Sequence, residues 1–134
     1  MRSFTICEFS DTDFSSIQQL NHAEGWSYLT ENSNQTQRAW SSSTIRFVAK
    51  EVKTHTVIGY VRGLTDGNLT TYICELLVAK PYQGHGVGDA LISHVHSLYP
   101  HTRLDVLSLA SSKSFYEKMT FRPLYGFRKT YDES

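Results

Sequence analysis

The stretch PYQGHGVGDALISHV, residues 81–95, constrains the fold of this chain more than any other feature. Gly84, Gly86 and Gly88 alternate with other residues, and an apolar run with helical spacing follows at once. Glycine lowers helix propensity and costs backbone entropy, so three glycines at the start of a helix need a physical reason. Either the loop makes an unusual turn, or a ligand must approach its backbone closely.

The elements around this loop indicate a mixed α+β domain. Residues 44–51, 56–65 and 69–78 are typical of strands, and the turn at 66–68 predicts an antiparallel meander. The helix that follows the loop should lead to a strand at 103–109, which is then predicted to lie parallel to 69–78. A first strand and two helices precede the meander, and a short helix and a last strand at 125–131 end the chain.

Composition excludes several classes of function. The 134 residues are 40% hydrophobic, which suits a single domain over 1–134 with 130–134 as a flexible tail. The 13 basic and 13 acidic residues balance, so we expect neither a nucleic-acid nor a membrane-surface binder. No signal or transmembrane stretch is evident, and Cys7 and Cys74 form no zinc or disulfide pattern. We therefore expect a cytoplasmic protein without a metal site.

Three phosphate-binding sites could explain a glycine loop between a strand and a helix, where backbone N–H groups and the helix dipole attract anions. A Rossmann site is disfavoured because Asp89 stands where its third glycine should be, and the preceding strands form a meander. A P-loop is excluded because its Gly-Lys-Ser/Thr ending is absent. A site for the pyrophosphate of coenzyme A is the third explanation.

The sequence resembles the GNAT N-acetyltransferase superfamily. The signature Gln/Arg-x-x-Gly-x-Gly/Ala stands here as QGHGVG at 83–88, after a strand that ends in LLV at 76–78. A second cue of the family, FYEKxGF, stands here as FYEKMTF at 115–121. Two departures are the glycine of that cue, here Thr120, and an absent asparagine ahead of it, near Leu109 and Ser112. The resemblance covers essentially the whole chain as one small single-domain member.

This resemblance implies a GNAT-like sheet in which acetyl-CoA lies between two splayed central strands, 69–78 and 103–109. The pantetheine arm and the acetyl carbonyl would then face the backbone of one strand, and the loop would hold the pyrophosphate. Acetyl would pass by direct attack of a primary amine, without an acyl-enzyme. The coenzyme-binding residues that the resemblance implies are Leu76, Leu77, Val78, Gln83, Gly84, His85, Gly86, Val87, Gly88 and Asp89.

Two residues are candidates for proton transfer. Similar enzymes use the tyrosine of the FY helix as the acid for the leaving thiolate, which is Tyr116 here; the alternative is a packing role. Glu75 is the one acid within its strand and could serve as the base that deprotonates the amine, or could instead be a salt-bridged strand acid. Strand alternation places Tyr72 and Cys74 on the other face, and a β-bulge could change that.

The resemblance also implies that Trp26, Tyr28 and Tyr125 line the acceptor side. Their rings could hold an apolar or a cationic amine, or could simply pack over the sheet edge. The His85 side chain could touch phosphate, although a backbone role is the ordinary one.

The resemblance thus implies an acetyl-CoA-dependent N-acetyltransferase. Its acceptor could be a small metabolite, a polyamine, an aminoglycoside-like drug or a protein amine, and a small-molecule amine is the prediction adopted. Two alternatives are a non-catalytic acyl-CoA-binding or regulatory module and an enzyme that uses a nicotinamide dinucleotide. Small members of the family are often homodimers, which is one option for this chain.

Overall fold

A computed structural model describes residues 3–133 of the chain. Five strands and five helices follow one another, joined in three places by short 3-10 turns. In chain order they are β1 (Phe4–Glu8), α1 (Phe14–Glu24), α2 (Ser27–Glu31), α3 (Ser33–Ser42), β2 (Ile45–Glu51), β3 (Val57–Thr65), β4 (Thr70–Val78), α4 (Val87–Leu98), β5 (Arg103–Val106) and α5 (Lys113–Lys118).

The five strands form one mixed sheet in the order β1-β2-β3-β4-β5. Strands β1 to β4 are antiparallel neighbours, and β5 is parallel to β4, as the helical crossover predicts. The predicted α+β fold, with an antiparallel meander and one parallel crossover, is confirmed. No helix within residues 3–133 is both long enough and apolar enough to cross a membrane.

Two hydrophobic clusters cover the two faces of the sheet. One packs α4 onto the sheet through residues such as Leu91 and Val95, which are fully buried. The other packs α1 and α3 onto the opposite face through Ile17, Trp40 and Tyr60. Burial on both sides explains why the central strands are apolar along most of their length rather than strictly alternating.

Strands β4 and β5 separate after a short paired stretch. Their pairing runs only from Thr70 with Arg103 to Ile73 with Val106. On the other side of β4, the partner of Arg62 is Glu75 but the partner of Gly63 is Ile73, so Cys74 is an extra residue in a β-bulge. Because β5 ends here while β4 continues to Val78, residues 74–78 present an unpaired backbone edge.

The strand predicted at 125–131 is not formed, and this prediction is wrong. Residues 121–130 have no regular structure, and Tyr125 and Phe127 are almost fully exposed. Pro123 cannot donate to a strand ladder, and Gly126 lies directly against Leu107, just past the end of β5. Of the predicted tail, Ser134 lies outside the described residues.

Candidate active site

A cavity of about 470 Å³ lies where β4 and β5 part. The end of β4, the glycine loop with the start of α4, the junction of α1 and α2, and α5 with the turn before it form its walls. The cavity therefore collects segments that are far apart in sequence at the one place where the sheet leaves a strand edge free.

The glycine loop turns because two of its glycines adopt left-handed backbone conformations. Gly84 and Gly86 have φ angles of 81° and 85°, which residues with a Cβ rarely adopt, and Gly86 is the N-cap of α4. Within residues 3–133, no N–H group from Gly84 to Asp89 donates a hydrogen bond to the protein. The Gln83 side chain fixes the loop by donating from Nε2 to the Val78 carbonyl at 3.0 Å.

Gly88 serves a different purpose. A Cβ at this position would lie 3.0 Å and 3.2 Å from two ring atoms of Phe115. The third glycine thus lets α4 approach α5 closely, whereas the first two shape the turn. The three glycines therefore have two structural reasons: the backbone turn at Gly84 and Gly86, and the close packing of α4 against α5 at Gly88. Neither reason requires a ligand to approach the loop closely.

Tyr116 lines the cavity and is buried. Its ring packs edge-on against Phe115 and Phe121, with centroids 5.0 Å and 5.4 Å away. Its hydroxyl has no hydrogen-bond partner in residues 3–133 and is not sealed from solvent. Burial raises the pKa of Tyr116 to about 12, which keeps the hydroxyl protonated at neutral pH.

Glu75 is held away from the cavity by an ion pair. Its two carboxylate oxygens accept hydrogen bonds from Arg62 Nε at 2.6 Å and from Nη2 at 2.7 Å. Arg62 also donates to Ser43 Oγ at 3.1 Å, which places the pair on the side of the sheet that α3 covers. The structure therefore favours the salt-bridged alternative for Glu75, because both oxygens are engaged and the side chain does not line the cavity.

We expect Glu75→Gln to destabilise the protein by roughly 2 kcal/mol, because a half-buried arginine would lose a bidentate carboxylate. The midpoint temperature of thermal unfolding should then fall by about 7 °C for a domain of this size. Glu8→Gln is the matched control, since Glu8 pairs with Arg46 at 3.8 Å on the exposed surface and should change stability by less than about 1 kcal/mol. A Glu75→Gln variant that keeps its stability but loses turnover would instead support the base role.

The other predicted residues divide between the cavity and the surface. Residues 76–78, 83–84 and 86–89 line the cavity, as does Trp26. His85 is exposed and does not line the cavity. Tyr28 and Tyr125 are 63% and 98% exposed and do not reach the cavity.

Sequence reasoning missed several residues of the cavity wall. Phe115 could have been included because it is the neighbour of Tyr116 in the FY cue, whereas no sequence signal marked Glu24. No three His, Cys, Asp or Glu side chains within residues 3–133 are grouped as metal ligands. The missed residues are Glu24, Tyr82, Leu109, Ser111, Ser112, Phe115, Lys118 and Met119.

Comparison with known proteins gives one consistent answer. A family model described as "Acetyltransferase (GNAT) domain" matches residues 42–123. No curated protein matches the chain in sequence.

Solved structures resemble nearly the whole chain. An acetyltransferase of the GNAT family from Streptococcus pneumoniae is 20% identical, with a TM-score of 0.78 over 99% of this chain and 100% of that one. A protein assigned to the same family from Xanthomonas campestris is 18% identical, with a TM-score of 0.77 over 99% and 96%. A protein described as an acetyltransferase from Deinococcus radiodurans is 20% identical, with a TM-score of 0.74 over 98% and 92%. At these identities the structures establish a shared fold.

Proposed function

This chain belongs to the GNAT acetyltransferase family, and we propose that it transfers the acetyl group of acetyl-CoA to a primary amine by direct attack. The observation that carries the proposal is a row of backbone N–H groups, at Gly84 and from Gly86 to Asp89, that donate to nothing in residues 3–133 and belong to residues lining the cavity. Backbone donors at a helix N-terminus are suited to a diphosphate.

The free edge of β4 suits the rest of the coenzyme. The Ala79 N–H donates to the Ile58 carbonyl of β3 at 2.8 Å, so alternation directs the N–H groups of Leu76 and Val78 away from β3. They would face the cavity, where β5 is no longer paired. A pantetheine arm carries amides that can pair with such an edge, much as an added strand does.

The same edge would assist the chemistry. A backbone N–H that points at the acetyl carbonyl stabilises the oxyanion formed as the amine attacks, which is worth about 3 kcal/mol in other acyl-transfer enzymes. The C–N bond forms, the C–S bond breaks, and the proton lost by the amine leaves with solvent or the thiolate. The amine must be neutral to attack, so a lysine-like amine with a pKa of about 10.4 reacts through its minor form.

Tyr116 would act on the leaving group. A coenzyme A thiol resembles a cysteine thiol, whose pKa of about 8.5 lies well below that of Tyr116. Full proton transfer from the phenol to the thiolate would therefore be uphill. We assign Tyr116 the role of a hydrogen-bond donor to the developing thiolate, in which the phenol keeps its proton.

The change in protein stability on adding each ligand tests whether acetyl-CoA is the acyl donor. Acetyl-CoA and CoA at about a hundred times their Kd should stabilise the protein by roughly 2.7 kcal/mol, whereas NAD and ATP should do so far less. Release of free thiol in the presence of acetyl-CoA and a panel of primary amines then tests catalysis. Stabilisation without turnover on any amine would favour the non-catalytic binding module, and stabilisation by NAD alone would contradict the family-based proposal.

A further inference from the structure

Glu24 lines the cavity, but its carboxylate makes no stabilising contact within residues 3–133 that would explain its position there. It is the last residue of α1, and it borders both the main cavity and a second cavity of about 140 Å³. The two cavities share only Glu24, Leu77 and Val78 among their lining residues. Glu24 therefore lies near the end of β4, where the proposed function puts the acyl donor.

The carboxylate of Glu24 has no counter-ion. Within residues 3–133 it takes part in no ion pair and accepts no hydrogen bond. A negative side chain at a helix C-terminus also faces the negative end of the helix dipole, which is an unfavourable location. A carboxylate that is exposed, unpaired and opposed by the dipole is available to a positively charged ligand.

The backbone around Glu24 is fixed rather than loose. Gly25 caps α1 in a left-handed conformation, and its N–H donates to the carbonyls of Asn21 and His22. The Trp26 N–H donates to the Asn21 carbonyl at 2.9 Å. This double cap holds Glu24 and Trp26 on either side of one glycine, and both line the same cavity.

Trp26 adds an aromatic face to the carboxylate. Its side chain packs partly against the cluster on the α1 and α3 face of the sheet, and its remaining surface lines the cavity. An indole attracts cations, so an adjacent carboxylate and indole favour an ammonium group over a neutral one. Asp89 in the first turn of α4 and Lys118 at the end of α5 also line the main cavity but belong to other walls. Lys80 lines the second cavity with Glu24, and within residues 3–133 the two side chains form no ion pair.

We propose that Glu24, together with Trp26, makes the acceptor site selective for amines that carry a second positive charge beside the reacting amine. The acceptor class is then diamines and related polycations rather than simple monoamines. This inference rests on the proposed acetyl transfer. Glu24 is a specificity residue in it: the carboxylate binds the ammonium that does not react, while the reacting nitrogen stays neutral.

Matched pairs of amines test the inference. The kcat/KM of the wild type is compared for putrescine against butylamine and for cadaverine against pentylamine, with acetyl-CoA as donor. Glu24→Gln should lower the preference for the diamines by about fivefold, the scale of a partly exposed ion pair, and leave the monoamines nearly unchanged. Glu31→Gln is the control variant, because Glu31 also ends a helix but lines neither cavity.

The possible outcomes distinguish a failure of the proposed role of Glu24 from a failure of the proposed acetyl transfer. Three results would overturn the role of Glu24: an equal loss of kcat/KM for diamines and monoamines in Glu24→Gln, an unchanged preference for diamines, or the same effect from Glu31→Gln. Turnover by the wild type would still support acetyl transfer in each case. Absence of turnover on every amine overturns both. The Kd for acetyl-CoA, measured by unfolding, should not change in Glu24→Gln, and a large increase would show that the residue serves the coenzyme instead.

Discussion

Replacing Tyr116 with phenylalanine is expected to lower kcat by roughly tenfold to a hundredfold, with little change in the Kd for acetyl-CoA. The change removes one hydrogen bond to a developing charge, and such bonds contribute about 1.5–3 kcal/mol. The ring contacts with Phe115 and Phe121 need no hydroxyl and should persist. Thiol release under saturating acetyl-CoA measures the effect.

The effect of Tyr116→Phe on protein stability can be measured separately from its effect on kcat. The Tyr116 hydroxyl has no protein partner in residues 3–133, so Tyr116→Phe should unfold within a few degrees of the wild type. Tyr99→Phe is the control, because Tyr99 packs against the α4 cluster and is not part of the cavity wall. An unchanged kcat in Tyr116→Phe would mean that this tyrosine only packs.

The pH dependence gives a further test of the same role. With its pKa raised to about 12 by burial, Tyr116 keeps its proton almost completely up to about pH 10. Ionisation of Tyr116 should therefore not lower turnover between pH 8 and about 10. Over this range the pH profiles of the wild type and of Tyr116→Phe should have the same shape. A decline in that range that disappears in the variant would contradict a permanently protonated donor.

Replacing Gly86 with valine is expected to raise the Kd for acetyl-CoA by roughly a hundredfold. A β-branched residue does not hold the φ of 85° at this position, so the loop must change its path. Losing two charge-assisted hydrogen bonds to phosphate, at about 1.5 kcal/mol each, amounts to about 3 kcal/mol and hence to about a hundredfold in affinity.

Gly67→Val is the matched control for this substitution. Gly67 lies in the turn between β3 and β4 with a φ of 77°, and neither it nor Gly86 has an atom within 4 Å of the position a Cβ would take. Both variants should therefore lose a similar stability of about 1–3 kcal/mol from backbone strain. Only Gly86→Val should lose acetyl-CoA binding, measured by titration calorimetry; an equal loss in both would show that strain alone weakens binding.

Local features of this fold were predictable and distant pairings were not. The turn at 83–86 and the start of α4 follow from glycine conformation, and the parallel β4–β5 pair follows from the helix between the strands. The cue at 115–121 also predicted that Tyr116 would belong to the site, although Thr120 replaces its glycine. Thr120 nevertheless adopts a φ of 66°, so the backbone keeps the conformation that glycine would take more easily.

The roles of some residues depend on tertiary contacts that the sequence alone does not reveal. Glu75 was ambiguous because Arg62, thirteen residues away, meets it only through the β3–β4 register and the bulge at Cys74. Glu24 resembles any solvated acid at a helix end until the fold brings it to the end of β4. The last strand was predicted from local sequence alone, but Pro123 precedes that segment and cannot donate to a strand ladder.

The contact between Gly88 and Phe115 joins two parts of the site that have different tasks. Gly88 belongs to the helix whose start would hold the phosphates, and Phe115 precedes the tyrosine that would serve the sulfur. A Cβ gained at position 88 would require the Phe115 ring to shift or to lose volume. In lineages that carry this cavity, substitutions at 88 and 115 should therefore tend to arise as compensating pairs, so that the spacing between the glycine loop and α5 is inherited as one unit.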